Sequence, residues 1–431
     1  MLTGVDKDEA APGQRRAVQA PLGERALTPP VTVFCYYYHP YGGGGADRAM
    51  QRVAEALARR GWRLSVVTKP LKGSPRREPI NGVQVYRTTE LPVPGLRFLS
   101  YMVAAFWYQL FSHAPDTVLH LNQLYLSMPL AIWLRRLRGM RVVVTLQCGG
   151  EHGDIARARR LPLGLGRWVL KAARKADALV SLSDQLTTEL IDAGFARERI
   201  AQIPNGVDAS LFAPVSPEQR AALRKQFALP ADRPIVLFAA RLETQKAVDV
   251  LLRAWKLVQA RQPQALLVLA GDGSLRRQLE TESRDLDLGE SVRFLGWTEQ
   301  VLALYQSTDL YVLPSWSEGM PNALLEAMAC GLMPVATAIP GTIDVVTSER
   351  DGLLVKPGNE AELAAALERG IRDEPLRTSL AAAARQRILD HFTVEQTSQR
   401  YADLYQQVAA GVLPGHNAAA PANTSEEADN E

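Results

Sequence analysis

The fold is decided by residues 315–331, which read Ser315-Trp316-Ser317-Glu318-Gly319-Met320-Pro321-Asn322-Ala323-Leu324-Leu325-Glu326-Ala327-Met328-Ala329-Cys330-Gly331. The run Leu310-Tyr311-Val312-Leu313 comes just before it and is typical of a buried parallel strand. Glycine and proline then break the chain, and the composition turns helical from Asn322. Gly331 is placed to end that helix. The stretch therefore predicts a strand, a tight loop and a helix N-terminus.

This geometry suits an anion, because the first N–H groups of a helix have no internal partner and carry a partial positive charge. A phosphate at 320–323 would satisfy them. Glu318 lies in the loop, and Glu326 lies roughly 6 Å beyond Asn322 at the rise of a helix. The two carboxylates are placed to bind hydroxyl groups on either side of a diphosphate. The structural alternative is an amphipathic helix that carries an acidic residue near its start.

Length and composition limit the class of protein. At 431 residues the chain exceeds what one core usually serves, so we expect two domains, and the net charge of +3 argues against a nucleic-acid partner. Cys35, Cys148 and Cys330 are too few and too widely spaced for a disulfide or metal framework, which favours a reducing compartment. We find neither a signal peptide nor a run long enough to cross a bilayer, so the sequence predicts a cytoplasmic location.

The first half of the chain begins with a strand at 31–38, the run Gly42-Gly43-Gly44-Gly45 and a helix from Ala46. This is a βαβ unit with a glycine-rich turn, in which Gly44 and Gly45 allow backbone to approach a ligand closely. The spacing is not G-x-G-x-x-G, and no acidic residue ends the second strand. A nicotinamide site is therefore disfavoured.

A polar, glycine-rich loop follows the strand Arg141-Val142-Val143-Val144-Thr145-Leu146. It lies at a strand's carboxyl end, where open α/β sheets bind ligands. We expect it to contact a transferred sugar or an acceptor, although a lone histidine is more often structural than catalytic. The candidate residues are Gln147, Glu151, His152 and Asp154.

Two further stretches of the first half bear on partners. Residues 96–111 are apolar apart from Arg97, which favours a buried helix and leaves open a surface for a lipid-linked acceptor or a membrane interface. Residues 157–175 are basic and amphipathic, which fits either a solvated helix face or an anionic membrane surface.

A second α/β set begins with the strand at 234–240, after the turn Pro204-Asn205-Gly206 where we place the hinge. Arg241 and Lys246 come just past this strand and before a helix. Arginine as a bidentate fork and lysine as a point charge suit a pyrophosphate, whereas the alternative is two solvated surface cations. Gly296 ends a later strand and is placed to flank a base.

Together these features resemble the retaining glycosyltransferases of family 4, which have the GT-B fold, over residues 31–410. The resemblance implies an α/β protein with two Rossmann-like domains facing across a cleft. The ranges that we expect are disordered tails at 1–29 and 413–431, an acceptor-side domain at 30–207, a donor domain at 208–390 and a helix at 391–412 that crosses back.

The resemblance also implies roles for the site residues. Arg241 and Lys246 would hold the diphosphate and stabilise the leaving group, Glu318 would bind donor-sugar hydroxyls, and Glu326 would bind the ribose. Backbone at Gly319, Met320, Pro321 and Asn322 and at Gly44 and Gly45 would contact sugar and phosphate. The expected donor is a UDP- or GDP-sugar and the expected acceptor a glycan or a lipid-linked glycan of cell-surface polysaccharide or lipopolysaccharide biosynthesis. No metal or other cofactor is expected, and peripheral contact with the inner membrane is a further expectation.

The sequence departs from the family pattern at four places. Gln147 stands where many relatives have histidine and cannot take up a proton in its place. Ala247 replaces a frequent glycine, and Asp344 replaces a frequent glutamate. Pro334 lies one position later than the proline of the usual Gly-x-Pro-Val run. None of these changes removes the two cations or the two glutamates, so we expect an active enzyme. The rival classes are a GT-B isomerase or phosphorylase and a catalytically silent partner subunit.

Overall fold

A computed structural model describes residues 28–38, 40, 44–93, 96–112, 117–150 and 153–414. Most of the two predicted tails therefore lies outside the described residues. The described strands are β1 (Val31–Phe34), β2 (Leu64–Thr68), β3 (Arg77–Ile80), β4 (Val83–Arg87), β5 (Val118–Leu121), β6 (Arg141–Thr145), β7 (Ala178–Ser181), β8 (Ile200–Gln202), β9 (Ile235–Ala239), β10 (Leu266–Ala270), β11 (Val292–Gly296), β12 (Leu310–Leu313), β13 (Met333–Thr337) and β14 (Leu353–Val355).

The described α-helices alternate with these strands. They are α1 (Gly45–Arg59), α2 (Arg97–Ser112), α3 (Ser127–Arg138), α4 (Asp154–Arg159), α5 (Leu165–Ala173), α6 (Asp184–Asp192), α7 (Pro217–Gln226), α8 (Val248–Arg261), α9 (Arg276–Asp285), α10 (Val301–Ser307), α11 (Asn322–Ala329), α12 (Glu360–Arg372), α13 (Glu374–His391) and α14 (Val394–Ala409). Among the described helices, none is long and apolar enough to cross a membrane.

The strands form two sheets. The first has the order β3-β4-β2-β1-β5-β6-β7-β8 and the second the order β11-β10-β9-β12-β13-β14. Every pairing is parallel except that of β3 with β4. Helices cover both faces of each sheet, which explains why most central strands are continuous apolar runs with no polar alternation. The α/β class and the two Rossmann-like domains of the GT-B fold are confirmed.

The last helix returns to the first sheet. Tyr401 and Tyr405 of α14 are buried in the core that contains β1, and the Tyr405 hydroxyl lies 2.7 Å from His120 Nδ1 of β5. The start of α14 meets the connection between the two sheets, where Val207 N donates to Phe392 O at 2.9 Å and Val394 N donates to Val207 O at 2.8 Å. The two crossings between the halves therefore lie side by side.

The structure differs from the sequence analysis at three places. The strand predicted at 31–38 ends at Phe34, because the Cys35 thiol donates to Tyr37 O at 3.0 Å and closes a turn. Strand β3 was not predicted, and neither was the hairpin that it forms with β4. Helix α2 is not simply buried, because one of its faces carries exposed Trp107 and Phe111.

Candidate active site

The loop 314–321 joins β12 to α11 as the sequence predicts, and hydrogen bonds fix the start of the loop and the far end of α11. At its start Thr337 Oγ1 donates to Ser315 O at 2.6 Å. Beyond it, α11 ends in a Schellman motif, in which Leu332 N donates to Ala327 O at 3.1 Å and Gly331 adopts a φ of +76°. The N-terminus of α11 is therefore held at the carboxyl edge of the second sheet.

Lys246 and Glu318 meet in this loop. The ammonium Nζ of Lys246 lies 2.5 Å from Glu318 Oε1, which also accepts a hydrogen bond from Ser315 Oγ at 2.7 Å. Both side chains are largely shielded from water, at 16% and 9% exposure. Charges in such a setting are screened far less than at the surface, so the pair places a fixed cation beside the helix N-terminus.

The backbone around Lys246 explains how it is positioned. Gln245 Nε2 donates to Ser317 O at 2.6 Å, and Trp316 N donates to Gln245 O at 2.9 Å. Ala247, the N-cap residue that precedes α8, lies in the left-handed region, with φ 48° and ψ 43°. That conformation favours glycine, which gives a physical reason for the glycine frequent here in the family that the sequence resembles.

Arg241 is less tightly placed than Lys246. Its side chain is exposed, and no ion pair or side-chain hydrogen bond joins it to another described residue. Its charge lowers the pKa of the neighbouring Glu243 carboxyl, for which hydrogen bonds from Ser274 are the larger cause. The structure thus brings Lys246 and Glu318 together and leaves the Arg241 guanidinium without such a partner.

The loop of the second sheet touches the first half of the chain at glycines. A Cβ on Gly319 would lie 1.7 Å from Gln147 O, and a Cβ on Gly45 would lie 2.8 Å from Asn322 Nδ2. The Asn322 amide donates to Gly45 O at 2.9 Å, while its buried Oδ1 has no partner among the described residues. Gly44 has open space around its Cα, so the two predicted glycines differ in their packing. The start of α11 therefore faces the start of α1 across the cleft.

Glu326 lies one turn inside α11 and is 6% exposed. Its Oε1 forms an ion pair with the Arg52 guanidinium of α1, and the Tyr305 hydroxyl donates to its Oε2 at 3.3 Å. The structure thus gives this carboxylate partners from both halves of the chain. A ribose at Glu326 would have to share the carboxylate with Arg52 or displace it.

The predicted acceptor loop is only partly described, because Glu151 and His152 lie outside the described residues. Gln147 Nε2 donates to Asn122 O at 2.9 Å and to Asn122 Oδ1 at 3.3 Å, so the amide is turned back toward β5. Asp154 is buried and accepts a hydrogen bond from Gln147 N at 2.5 Å. Burial raises the pKa of Asp154, and the carboxyl supports the loop backbone where we predicted contact with a sugar.

Gly296, Met320 and Pro321 complete the predicted set. Gly296 ends β11 with φ +76°, and a Cβ there would lie 2.8 Å from Arg276 Nη1. Met320 is buried, and its carbonyl accepts a hydrogen bond from Asn205 Nδ2 at 3.2 Å. Pro321 caps the N-terminus of α11 in an extended conformation.

Sequence reasoning missed Arg52, Asn122 and Asn205 as site neighbours. Arg52 belongs to a helix rich in charged residues, and nothing in its local pattern marks a partner 274 positions away. Asn205 had a usable signal, because the turn at 204–206 was identified, but it was placed at the hinge and not at the site. Among the described residues, no group of three or more histidine, cysteine, aspartate or glutamate side chains could hold a metal ion.

Two family models match successive halves of the chain. One describes glycosyltransferases of family 4 and matches residues 43–211, and the other describes group 1 glycosyl transferases and matches residues 219–387. The first match covers the glycine-rich turn and the Gln147 loop. The second covers Arg241, Lys246, Glu318 and Glu326.

Two similar proteins and one solved structure align along nearly their whole length. The chain is 25% identical to an uncharacterized glycosyltransferase of Methanocaldococcus jannaschii, covering 87% of this chain and 97% of that protein. It is 28% identical to the lipopolysaccharide core biosynthesis glycosyltransferase LpsD of Rhizobium meliloti, covering 85% and 96%. The structure of HepE from Anabaena in complex with UDP and glucose matches with a TM-score of 0.72 at 21% identity, covering 87% and 99%. The chain belongs to the glycosyltransferases of the family-4 type and is a transferase with the GT-B fold.

Proposed function

We propose that this enzyme transfers a sugar from a UDP- or GDP-sugar to a glycan or glycolipid acceptor, with retention of anomeric configuration, in the synthesis of a cell-surface polysaccharide or lipopolysaccharide. The role of the Rhizobium relative in lipopolysaccharide core biosynthesis supports the biosynthetic setting, and the UDP and glucose in the Anabaena structure support the donor class.

One observation carries the proposal, namely the pair of Lys246 and Glu318 beside the N-terminus of α11. A nucleoside diphosphate gains negative charge as it leaves the sugar. In the proposed complex the Lys246 ammonium and the N–H groups at the start of α11 would face that charge, so they would favour the transition state over the ground state. Glu318 would hold the ammonium in place and accept hydrogen bonds from donor-sugar hydroxyls.

The state of the nearby carboxylates supports a front-face reaction, in which the leaving phosphate takes the proton of the acceptor hydroxyl. Glu318 is paired with Lys246, Glu326 with Arg52, and Asp154 with the backbone of Gln147. Each of these acids already has a partner, so none is placed as an unengaged nucleophile. Retention then follows because the acceptor oxygen attacks on the face from which the diphosphate leaves.

The orientation of Gln147 is compatible with glutamine standing where many relatives have histidine. Because its amide donates to Asn122, the side-chain oxygen is the part of Gln147 that would accept a hydrogen bond from a sugar hydroxyl. Transfer by a front-face route requires no proton uptake at this position, so glutamine in place of histidine is compatible with activity.

The test is a panel of nucleotides and nucleotide-sugars with the full chain. We expect one UDP- or GDP-sugar to raise the melting temperature and to release nucleoside diphosphate slowly by hydrolysis, and faster once an acceptor is added. NMR of the product would report the anomer. Conversion of the donor into an epimer without diphosphate release would favour an isomerase, and binding without any turnover would favour a silent subunit. Failure of every nucleotide to bind would overturn the proposal.

A further inference from the structure

One face of α2 is apolar and exposed to solvent. Leu99, Val103, Trp107 and Phe111 follow one another at intervals of four residues and are 46%, 41%, 51% and 76% exposed. This interval keeps them on one side of the helix over about 18 Å. The opposite side, which includes Tyr101, is buried against the sheet. The burial expected for this helix from sequence therefore applies to half of its surface only.

The exposed apolar surface continues onto α3. Trp133 and Leu137 of α3 are 56% and 55% exposed, and the Trp133 ring stacks on Phe106 of α2 with centroids 5.8 Å apart. The rings of Trp107 and Phe111 also stack on each other at 5.6 Å. We call these six exposed side chains the apolar face; they are Leu99, Val103, Trp107, Phe111, Trp133 and Leu137.

Positive charge is concentrated in the same part of the chain as the apolar face. Residues 97–175 contain ten arginines, two lysines and three acidic residues, a net charge of +9 in a chain whose total is +3. Helix α5, which packs on α3, and its neighbour α4 bring exposed cations that form no ion pair with another described residue. We call these cations the basic rim; they are Arg159, Arg160, Arg167 and Lys171.

The combination of these two features favours one kind of partner. A nucleic acid would meet the cations but would leave the apolar side chains unburied. A second copy would bring the same positive surface against itself, because a two-fold contact pairs identical patches. An anionic bilayer satisfies both features, since its headgroups pair with arginine and lysine while tryptophan and phenylalanine enter the interface.

We propose that the apolar face and the basic rim dock the enzyme on an anionic lipid leaflet, with α2 lying in the interface. The inner side of the same helix lines a cavity through Phe98, Tyr101 and Met102, and the polar side chains of Asp47 and Asn122 line the same cavity. If the proposed function holds, a lipid-linked acceptor would therefore enter the cleft from the membrane side along α2.

The experiment measures sedimentation of the full chain with vesicles of phosphatidylcholine alone or mixed with phosphatidylglycerol. We expect binding to the mixed vesicles that is at least tenfold tighter than to phosphatidylcholine and that weakens as salt rises above about 0.1 M. The double variant Trp107→Ser/Phe111→Ser should lose about tenfold or more in affinity for the mixed vesicles, because two interfacial aromatic side chains are removed. Arg167→Glu/Lys171→Glu should abolish the preference for phosphatidylglycerol.

The matched control is Leu257→Ser/Leu389→Ser, which removes two exposed apolar side chains from the second half of the chain. It should bind vesicles as the unmodified chain does. All variants should keep the helical circular dichroism signal and release nucleoside diphosphate from a soluble donor, so a failure of docking is separable from a failure of the proposed function. The proposal is overturned if the unmodified chain does not sediment, if Trp107→Ser/Phe111→Ser binds normally, or if that variant instead abolishes a dimer.

Discussion

The Arg52 guanidinium of α1 forms an ion pair with the Glu326 carboxylate of α11, and it is one of the contacts that join the two halves across the cleft. Arg52 also lies over the Phe212 ring, with its guanidinium carbon 5.3 Å from the centroid. Its Nη1 is buried and has no partner among the described residues. The carboxylate that we assign to the ribose is therefore already held by a cation from the opposite half.

Substitution of Arg52 by glutamine should distinguish a role of Arg52 in holding the two halves together from a role in binding the nucleotide. Arg52→Gln should lower the free energy of unfolding of the unliganded enzyme by an amount between the ~1 kcal/mol of an exposed pair and the ~3–5 kcal/mol of a buried one, because the pair is partly shielded. Nucleotide should bind more tightly to this variant, since the ribose no longer competes with a guanidinium. Calorimetric titration measures the affinity, and Arg48→Gln, an exposed arginine of the same helix, is the control. Weaker binding would instead make Arg52 part of the nucleotide site.

Lys246→Ala should reduce turnover by roughly 100-fold or more, because a preorganised charge beside the leaving group is lost. Diphosphate release at saturating donor measures this effect. The exposed Lys225 of α7 provides the control, and Lys225→Ala should keep normal turnover. Unchanged turnover in Lys246→Ala would rule out the phosphate assignment, whereas a loss confined to the donor KM would indicate binding without transition-state stabilisation.

Tyr405→Phe should destabilise the enzyme by about 1–3 kcal/mol, because the buried His120 Nδ1 loses its partner at 2.7 Å. Burial lowers the pKa of His120 to about 3, so the ring is neutral and cannot compensate by gaining a proton at neutral pH. Urea unfolding followed by circular dichroism measures the change. Tyr125→Phe, at a half-exposed ring, should stay within about 0.5 kcal/mol of the unmodified chain.

The carboxyl of Asp344 should make the free energy of unfolding depend on pH. Burial, with a further contribution from the negative charge of Asp184, raises the pKa of Asp344 to about 6, while Arg387 opposes the shift. The carboxyl titrates near 4 in the unfolded state, so between about pH 4 and pH 6 the folded state binds more protons than the unfolded state does. The cost of ionising Asp344 in the folded state is therefore fully present above about pH 6. Asp344→Asn should therefore be more stable than the unmodified chain at pH 7, and the difference should shrink as the pH falls from 6 toward 4.

Chemical denaturation at a series of pH values checks this prediction. Asp184→Asn removes the facing charge, so it should shift the transition of Asp344 to lower pH without abolishing it. A difference between Asp344→Asn and the unmodified chain that does not vary between pH 4 and 7 would contradict the assignment.

The parallel core was predictable because buried strands in such sheets are continuous apolar runs, and β12 was predicted with its exact bounds. The hairpin of β3 and β4 was missed because β3 contains Glu78 and Pro79 and has no buried residue. A signal was nevertheless present, since Asn81 and Gly82 both have positive φ and form the tight turn that this dipeptide favours.

The pairing of Lys246 with Glu318 follows from two neighbouring strand ends, which is why the sequence could place both in one site. The pairing of Arg52 with Glu326 depends on how the two halves face each other, and no local pattern encodes that relation. The sequence left open whether α2 is buried or presents an apolar surface, because an apolar run has the same composition whether it meets a core or a bilayer.

The close approach of Gly319 to the Gln147 carbonyl has a consequence for how this enzyme could diversify. The second half of the chain meets residue 147 through its main chain, which every amino acid possesses, while the side chain is turned away toward Asn122. Under the proposed function, replacement of the Gln147 side chain would change the contact with a sugar hydroxyl without disturbing the fit between the two halves. A methyl group added at position 319 would instead collide with the Gln147 carbonyl and separate the two halves, although every other side chain of the site would be unchanged.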